Sequence, residues 1–283
     1  MKEKILVTIP TTGSRLPLLK EVLDSVYLNQ DKFDITTVIV KNGTFSNEEY
    51  YDFDLAHDVI KIESRPGGHI ARAMNVGLEY ITDKFDWWMY QEDDLIITTE
   101  NWMENAISTY KSIPKCGTLG IRLFGGLRKY NPRKEYTIES LKVRDRDTFE
   151  VYWSGGITLI SGDIIRNHNL RCDENMMSVP NADINLQLIE FGYENWFHEL
   201  KYTHYHMTGN KTPDHPHTGV DGPKWKYADV PVHMMKGDCQ IRLKWNNCGN
   251  TKIQDWVDMD TITAKEWLIS QGRDKENYKE FEL

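Results

Sequence analysis

Cysteine is scarce in this chain. Its four cysteines (Cys116, Cys172, Cys239 and Cys248) are scattered over 283 residues. That argues against a disulfide-stapled secreted fold and fits a reducing compartment, so a cytoplasmic location is expected. No C-x-x-C or H-x-x-x-H spacing links Cys239 and Cys248 with His215, His217 and His233, so a structural zinc site is not expected. Long apolar runs are missing too: nothing approaches the roughly 18 residues that a membrane-spanning helix needs. Met1–Pro10 has neither a long apolar core nor a small-residue cleavage site, so no signal peptide is expected there. Repeats and low-complexity tracts are absent. Positive charge is in deficit, with 34 Lys+Arg against 43 Asp+Glu and a net charge of −9. The chain as a whole therefore does not read as a non-specific nucleic-acid binder.

What is present begins with an exception to that deficit. Between residues 115 and 146, nine Lys and Arg stand against three acids. Such a stretch is either a solvated loop face or a landing surface for an anionic substrate.

The first half alternates strand and helix patterns, which predicts an α/β sheet with crossover helices. Strands are expected at Lys4–Pro10, Ile35–Val40, Val59–Ile62 and Trp87–Tyr90. Helices are expected at Ser14–Gln30, His69–Ile81 and Asn101–Tyr110, from apolar residues at helical spacing. The second half is mixed. Thr118–Phe124, Ile157–Ile160 and Trp196–His206 read as strands, and Tyr136–Tyr152 carries strand-like segments. Helices are expected from Asp163 and over Asp183–Phe191, with a stop at Gly192. Beyond Lys236 the pattern supports one helix, Thr263–Ser270.

Three features could carry chemistry. The first is Glu92-Asp93-Asp94, directly after the apolar strand WWMYQ. Three adjacent carboxylates repel one another, and at the buried end of a strand they need a cation or donor groups to offset them. Open α/β sheets bind ligands at those carboxyl ends. A hard divalent cation bridging to diphosphate oxygens would supply the charge. An acidic loop starting a helix would also explain the run. The second feature is Gly67-Gly68-His69-Ile70-Ala71-Arg72-Ala73-Met74-Asn75. Glycines before a helix, Gly68 among them, let backbone approach a phosphate or sugar. Arg72 and Asn75 lie three apart on one helix face, where Arg can clamp a diphosphate and Asn can bond a sugar. A plain loop-to-helix junction is the alternative. The third feature is His204-Tyr205-His206, whose imidazoles share a face if the segment is a strand. Two structural histidines would look the same.

Several segments together resemble family-2-type glycosyltransferases with the GT-A fold. IPTTGSRLPLLKEVLDSVYLNQ resembles their opening strand and helix, and VIVKNGT their second strand, which ends near the nucleotide base. ARAMNVGLEY is similar to their A-R-N-x-G-L helix, and MYQEDDLI to their aspartate-rich D-x-D strand end. SGGITLISGDII resembles their acceptor-side segment, and NADINLQLIEFGY the helix that carries their general base. The matches follow the family's order from about residue 4 to about residue 206.

The resemblance implies a role for each matched position. Thr11 and Asn42 would lie near the nucleoside, with Asn42 where the family has Asp. Arg72 and Asn75 would face the diphosphate or donor sugar. Glu92 and Asp93 would begin the aspartate motif, and Asp94 would ligate the metal, Mn2+ or Mg2+. Asp183 would be the general base, with Ala182 and Asn185 standing where the family has acids. His206, or else His204, would complete the metal site. Trp153, Gly155 and Gly156 would lie on the acceptor side, Trp153 as a stacking ring. The segment 207–232 is rich in Pro, Gly and His, without periodicity and too long for an ordinary connection. It reads as a lid that orders over donor and metal, with Lys211 in reach of a phosphate, or as a static loop held by its prolines.

The expectation is a mixed α/β GT-A-like domain over 1–235, divided into a nucleotide-sugar half (1–115) and an acceptor half (116–235), followed by an extension over 236–283. Its activity would be metal-dependent, inverting transfer from a nucleotide-diphosphate sugar, a UDP-sugar favoured, to an acceptor hydroxyl. A glycan or glycoconjugate is the favoured acceptor. The basic stretch keeps a second acceptor in view, hydroxymethylated bases of DNA. Two other classes remain. A nucleotidyltransferase would show a glycine-rich basic loop after the first strand, where this chain has Thr11-Thr12-Gly13-Ser14-Arg15. A non-catalytic sugar-binding module would not need Glu92–Asp94 together with Asp183.

Overall fold

The central strands send alternate side chains into two separate cores, and this alternation defines the layers. The computed structural model describes residues 1–11, 16–42, 57–63, 70–97, 99–122, 128–129, 156–175, 180–199, 202–204, 240 and 244. In β1 (Lys4–Thr11), Ile5, Val7 and Ile9 enter one core and Leu6 the other. In β4 (Trp87–Gln91), Trp87 and Met89 enter the first and Trp88 and Tyr90 the second. Both strands are apolar along their length because both sheet faces are covered. Trp87, Trp88 and Trp102 are all buried and serve packing.

The first core is covered by α1 (Leu16–Tyr27) and α3 (Trp102–Ser112). The second is covered by α2 (Ile70–Glu79), α4 (Gly162–His168) and α5 (Pro180–Glu190). Each helix buries a stripe at helical spacing, as Leu19, Val22, Leu23 and Val26 do in α1. The close approach of α2 to β1 depends on Gly77: a Cβ there would stand 2.0 Å from Thr8 Oγ1.

The remaining strands are β2 (Asp34–Lys41), β3 (Val59–Glu63), β5 (Leu95–Ile97), β6 (Cys116–Arg122), β7 (Arg128–Lys129), β8 (Ile157–Ser161), β9 (Glu194–Glu199) and β10 (Tyr202–His204). Eight of the strands form one sheet in the order β3-β2-β1-β4-β8-β6-β9-β7. The β3-β2-β1-β4 block is parallel, β8 is antiparallel to β4 and β6, β6 and β9 are parallel, and β7 lies antiparallel on the edge. This is the mixed α/β architecture expected from the sequence. Among the described residues, no helix is long and apolar enough to cross a membrane.

Three expectations need correction. The run Trp196–His206 is two strands, because β9 stays beside β6 while β10 leaves to pair antiparallel with β5 in a separate two-stranded sheet. The short β5 carries no periodicity of its own and exists through that pairing. The helix expected from Asp183 starts at Pro180, whose fixed φ and missing N–H suit a first helical turn. Its stop is as expected, with Gly192 at φ +82°. Tyr136–Tyr152, the 207–232 segment and the Thr263–Ser270 helix lie outside the described residues.

Candidate active site

The parallel strands β1, β2 and β4 present their carboxyl ends at one edge, and the first cluster of expected site residues meets there. Asn42 donates its backbone N–H to the Thr11 carbonyl at 2.6 Å. The Thr11 hydroxyl donates to Asp93 Oδ2 at 2.6 Å. Thr11, Asn42 and Asp93 thus form one continuous contact across three strand ends.

The acidic turn is built tightly. Glu92 N–H donates to the Gly156 carbonyl at 2.8 Å, extending the β4–β8 ladder past Gln91. Gln91, fully buried, closes the turn by donating Nε2 to the Leu95 carbonyl at 2.9 Å. Asp93 and Asp94 are both buried. Gly156 lets the two segments approach closely: a Cβ would lie 2.1 Å from Leu95 Cδ1 and 2.6 Å from Glu92 Oε2, so either side chain would have to shift. Its position against Glu92 brings the expected acceptor-side segment up to the acidic turn. His204 also reaches this turn through its backbone, since β10 pairs with β5 so that His204 lies opposite Leu95. Among the described residues, no three His, Cys, Asp or Glu side chains form a group that could hold a metal ion.

A second cluster lies beneath α2. Arg72 Nε donates to Glu174 Oε2 at 3.2 Å, and Asn75 Nδ2 donates to Glu174 Oε1 at 3.1 Å. Asn75 also brackets Cys172: its Nδ2 donates to the Cys172 carbonyl at 2.9 Å, and its Oδ1 accepts the Cys172 N–H at 2.8 Å. The two residues expected to face a donor diphosphate therefore grip the 172–174 turn. That turn continues to the third cluster, because Asp173 N–H donates to Asp183 Oδ2 at 2.9 Å.

Asp183 lies in the first turn of α5 with no exposed surface. Gln187, four residues on and so on the same helix face, donates Nε2 to Asp183 Oδ2 at 3.1 Å. Lys244 places its Nζ 2.8 Å from Asp183 Oδ1 and 3.2 Å from Asp173 Oδ2. Burial works against the charged lysine, but the Asp183 and Asp173 carboxylates outweigh it and raise its pKa. For Asp173, burial works against ionisation, yet hydrogen bonds from Asn175 and Lys244 hold its carboxyl below the usual range. Asn185, two residues past Asp183, takes the opposite side of α5. It accepts from the Thr118 hydroxyl at 3.0 Å, and its carbonyl accepts from Asn195 Nδ2 at 2.7 Å.

Two buried side chains feel these carboxylates. Burial first, then the Glu92, Asp94 and Asp93 carboxylates, and more weakly Cys172, push the Tyr90 phenol well above its ordinary pKa. Burial first, then the Asp183 carboxylate, does the same for the Cys172 thiol. Both groups stay neutral.

Of the expected residues, Gly68, Trp153, Gly155, His206 and Lys211 lie outside the described residues. Sequence reasoning missed Gln91, Asp173, Glu174, Gln187 and Lys244. Gln187 could have been found as the i+4 neighbour of Asp183. Gln91, the last residue of the WWMYQ strand, makes its contact only four residues on, whereas Asp173, Glu174 and Lys244 depend on contacts between distant segments.

No family model and no curated protein matches this chain. The solved structures it is similar to include glycosyltransferases. S. aureus TarS 1–349 shares 15% identity over 71% of this chain and 60% of that chain, with a TM-score of 0.46. The same protein in complex with UDP-GlcNAc shares 14% over 93% of this chain and 69% of that one, with a TM-score of 0.49. The catalytic domain of Drosophila β1,4-galactosyltransferase 7, complexed with xylobiose, shares 14% over 79% of this chain and 85% of that one, with a TM-score of 0.46. This chain thus spans about 60% of the length of the first of these.

Proposed function

We propose that this protein is an inverting glycosyltransferase that moves a sugar from a nucleotide-diphosphate sugar, a UDP-sugar first, to an acceptor hydroxyl. One observation carries the reading. An acidic centre at the carboxyl ends of parallel strands is tied to Thr11 and Asn42, and a second, buried carboxylate, Asp183, is joined to Arg72 and Asn75 by the 172–174 turn. Glycosyl transfer needs two such centres, one for the leaving diphosphate and one for the acceptor proton.

In this reading Thr11 and Asn42 border the nucleoside, and Arg72 supplies a cation toward the diphosphate. Asp183 takes the proton of the acceptor hydroxyl. The acceptor oxygen bonds to the anomeric carbon while the bond from that carbon to the diphosphate oxygen breaks, and the diphosphate leaves with the electron pair. The carboxylates of the 92–94 turn are hard oxygen donors of the kind Mn2+ or Mg2+ takes. Asp94 would hold the ion, completed by His204 or His206. When bound, the ion would add positive charge where the diphosphate leaves.

The favoured acceptor is a glycan or glycoconjugate. The edge position of β7, which carries Arg128 and Lys129 at the rim of the sheet, supports testing an anionic acceptor beside it, DNA with hydroxymethylated bases.

A panel of nucleotide sugars with Mn2+ and each acceptor tests the reading. Release of nucleoside diphosphate, accelerated by one acceptor, is the expected result. Pyrophosphate release from a nucleoside triphosphate and a sugar phosphate would point instead to a nucleotidyltransferase. Sugar binding with no turnover would leave a binding module.

A further inference from the structure

The segment after residue 235 has no role in the chemistry so far, yet two of its residues reach the Asp183 centre. Gln240 donates Nε2 to the Asn175 carbonyl at 3.0 Å. Lys244 stands four residues later. The two residues grip the 173–175 turn at two points, and the Lys244 ammonium lies on Asp183 Oδ1 at 2.8 Å.

The neutral donors on Asp183, the Asp173 N–H and the Gln187 amide, both act on Oδ2. They fix the carboxylate's orientation but bring no net charge. A buried carboxylate is costly unless a positive charge stands against it. Among the described residues, charged groups near this centre include Asp173, Glu174 and Arg171 on the adjoining turn and Lys244, which also act on the Cys172 thiol or pair with Asp183 and Asp173. Asp173 and Glu174 add negative charge. Arg171 donates to the Leu170 carbonyl. Lys244 forms the ion pair with Asp183, bridging it to Asp173 from a side chain 36% exposed.

We propose that Lys244 is a positioning residue for transfer: its ammonium, 2.8 Å from Oδ1, holds the buried Asp183 carboxylate aimed at the acceptor hydroxyl. This rests on reading Asp183 as the general base.

The test compares full-length Lys244→Gln, Lys244→Arg and Asp183→Asn proteins, assayed well below each variant's thermal midpoint. Lys244→Gln keeps a hydrogen-bond donor and removes the charge. The expected result is a fall in kcat of about tenfold to a hundredfold with donor KM within about twofold, as for partial loss of a general base. Lys244→Arg should recover most of that kcat, because it restores the charge. A structural role alone would lower the thermal midpoint of Lys244→Gln without this split between kcat and KM. Wild-type kcat in Lys244→Gln, with Asp183→Asn inactive, overturns the role of Lys244 and leaves the base reading standing. Near-wild-type kcat in Asp183→Asn overturns the base reading and, with it, this proposal.

Discussion

Two buried thiols are held in the neutral form. Burial and then the Glu194 carboxylate push the Cys116 thiol up to about 12, and Cys172 is raised well above its ordinary value. The thiolate is the reactive form, and it is negligible in both at neutral pH. Neither cysteine should react with an alkylating reagent at pH 7–8 while the protein is folded, and both should react in denaturant; peptide mass spectrometry reads the difference. Because both pKa values are raised, moving from pH 7 to pH 9 should still leave them unlabelled. At the acidic turn, Asp94→Ala should abolish Mn2+-dependent binding of a nucleoside diphosphate and leave the unfolding midpoint close to wild type. Titration calorimetry measures this, and unchanged affinity would remove Asp94 from the metal site.

Single residues decide how closely the elements pack. The space between α2 and β1 at Gly77 is already filled by the Thr8 hydroxyl, which also accepts from Trp88 Nε1 at 2.9 Å. Two effects oppose each other in Gly77→Ala. Alanine favours the helix by about 1 kcal/mol, while overpacking a close contact costs about 1–3 kcal/mol. The contact is to a short, hydrogen-bonded side chain that cannot swing away, so overpacking should win. Urea unfolding should show a net loss of about 1–2 kcal/mol; a gain in stability would mean that α2 shifts freely on the sheet. The same contact explains why ARAMNVGLEY has its glycine at position 77: α2 comes near enough to β1 for Asn75 to reach the 172 turn.

On the scale of the whole molecule, the site is assembled from segments far apart in sequence. Thr11 meets Asp93 across 82 residues, Asn75 meets Cys172 across 97, and Lys244 meets Asp173 across 71. A ligand spanning these segments should stabilise the folded chain as a unit. At a hundred times its dissociation constant, a bound nucleoside diphosphate contributes about 2.7 kcal/mol. The thermal midpoint should then rise by about 5 °C or more with nucleoside diphosphate and Mn2+ together. No rise at saturating concentrations would show that the site does not take this ligand.

The sequence by itself determined the elements and their class. Apolar runs such as KILVTIPT and WWMYQ can only be strands buried on both faces, and the spacing of Leu19, Val22, Leu23 and Val26 makes α1 a covering helix. It also marked the acidic turn, since three adjacent carboxylates after a buried strand are costly without partners. Asp183 was legible as a lone acid in a helical first turn. Only the tertiary structure decided the partners: Thr11 on Asp93, Gly156 against Glu92, Glu174 between Arg72 and Asn75, and Lys244 on Asp183. It also split the run 196–206 between two sheets. The physical reason is one of range. Periodicity and turn chemistry act within a few residues, whereas a contact across about 60 or more residues exists only after the layers have packed.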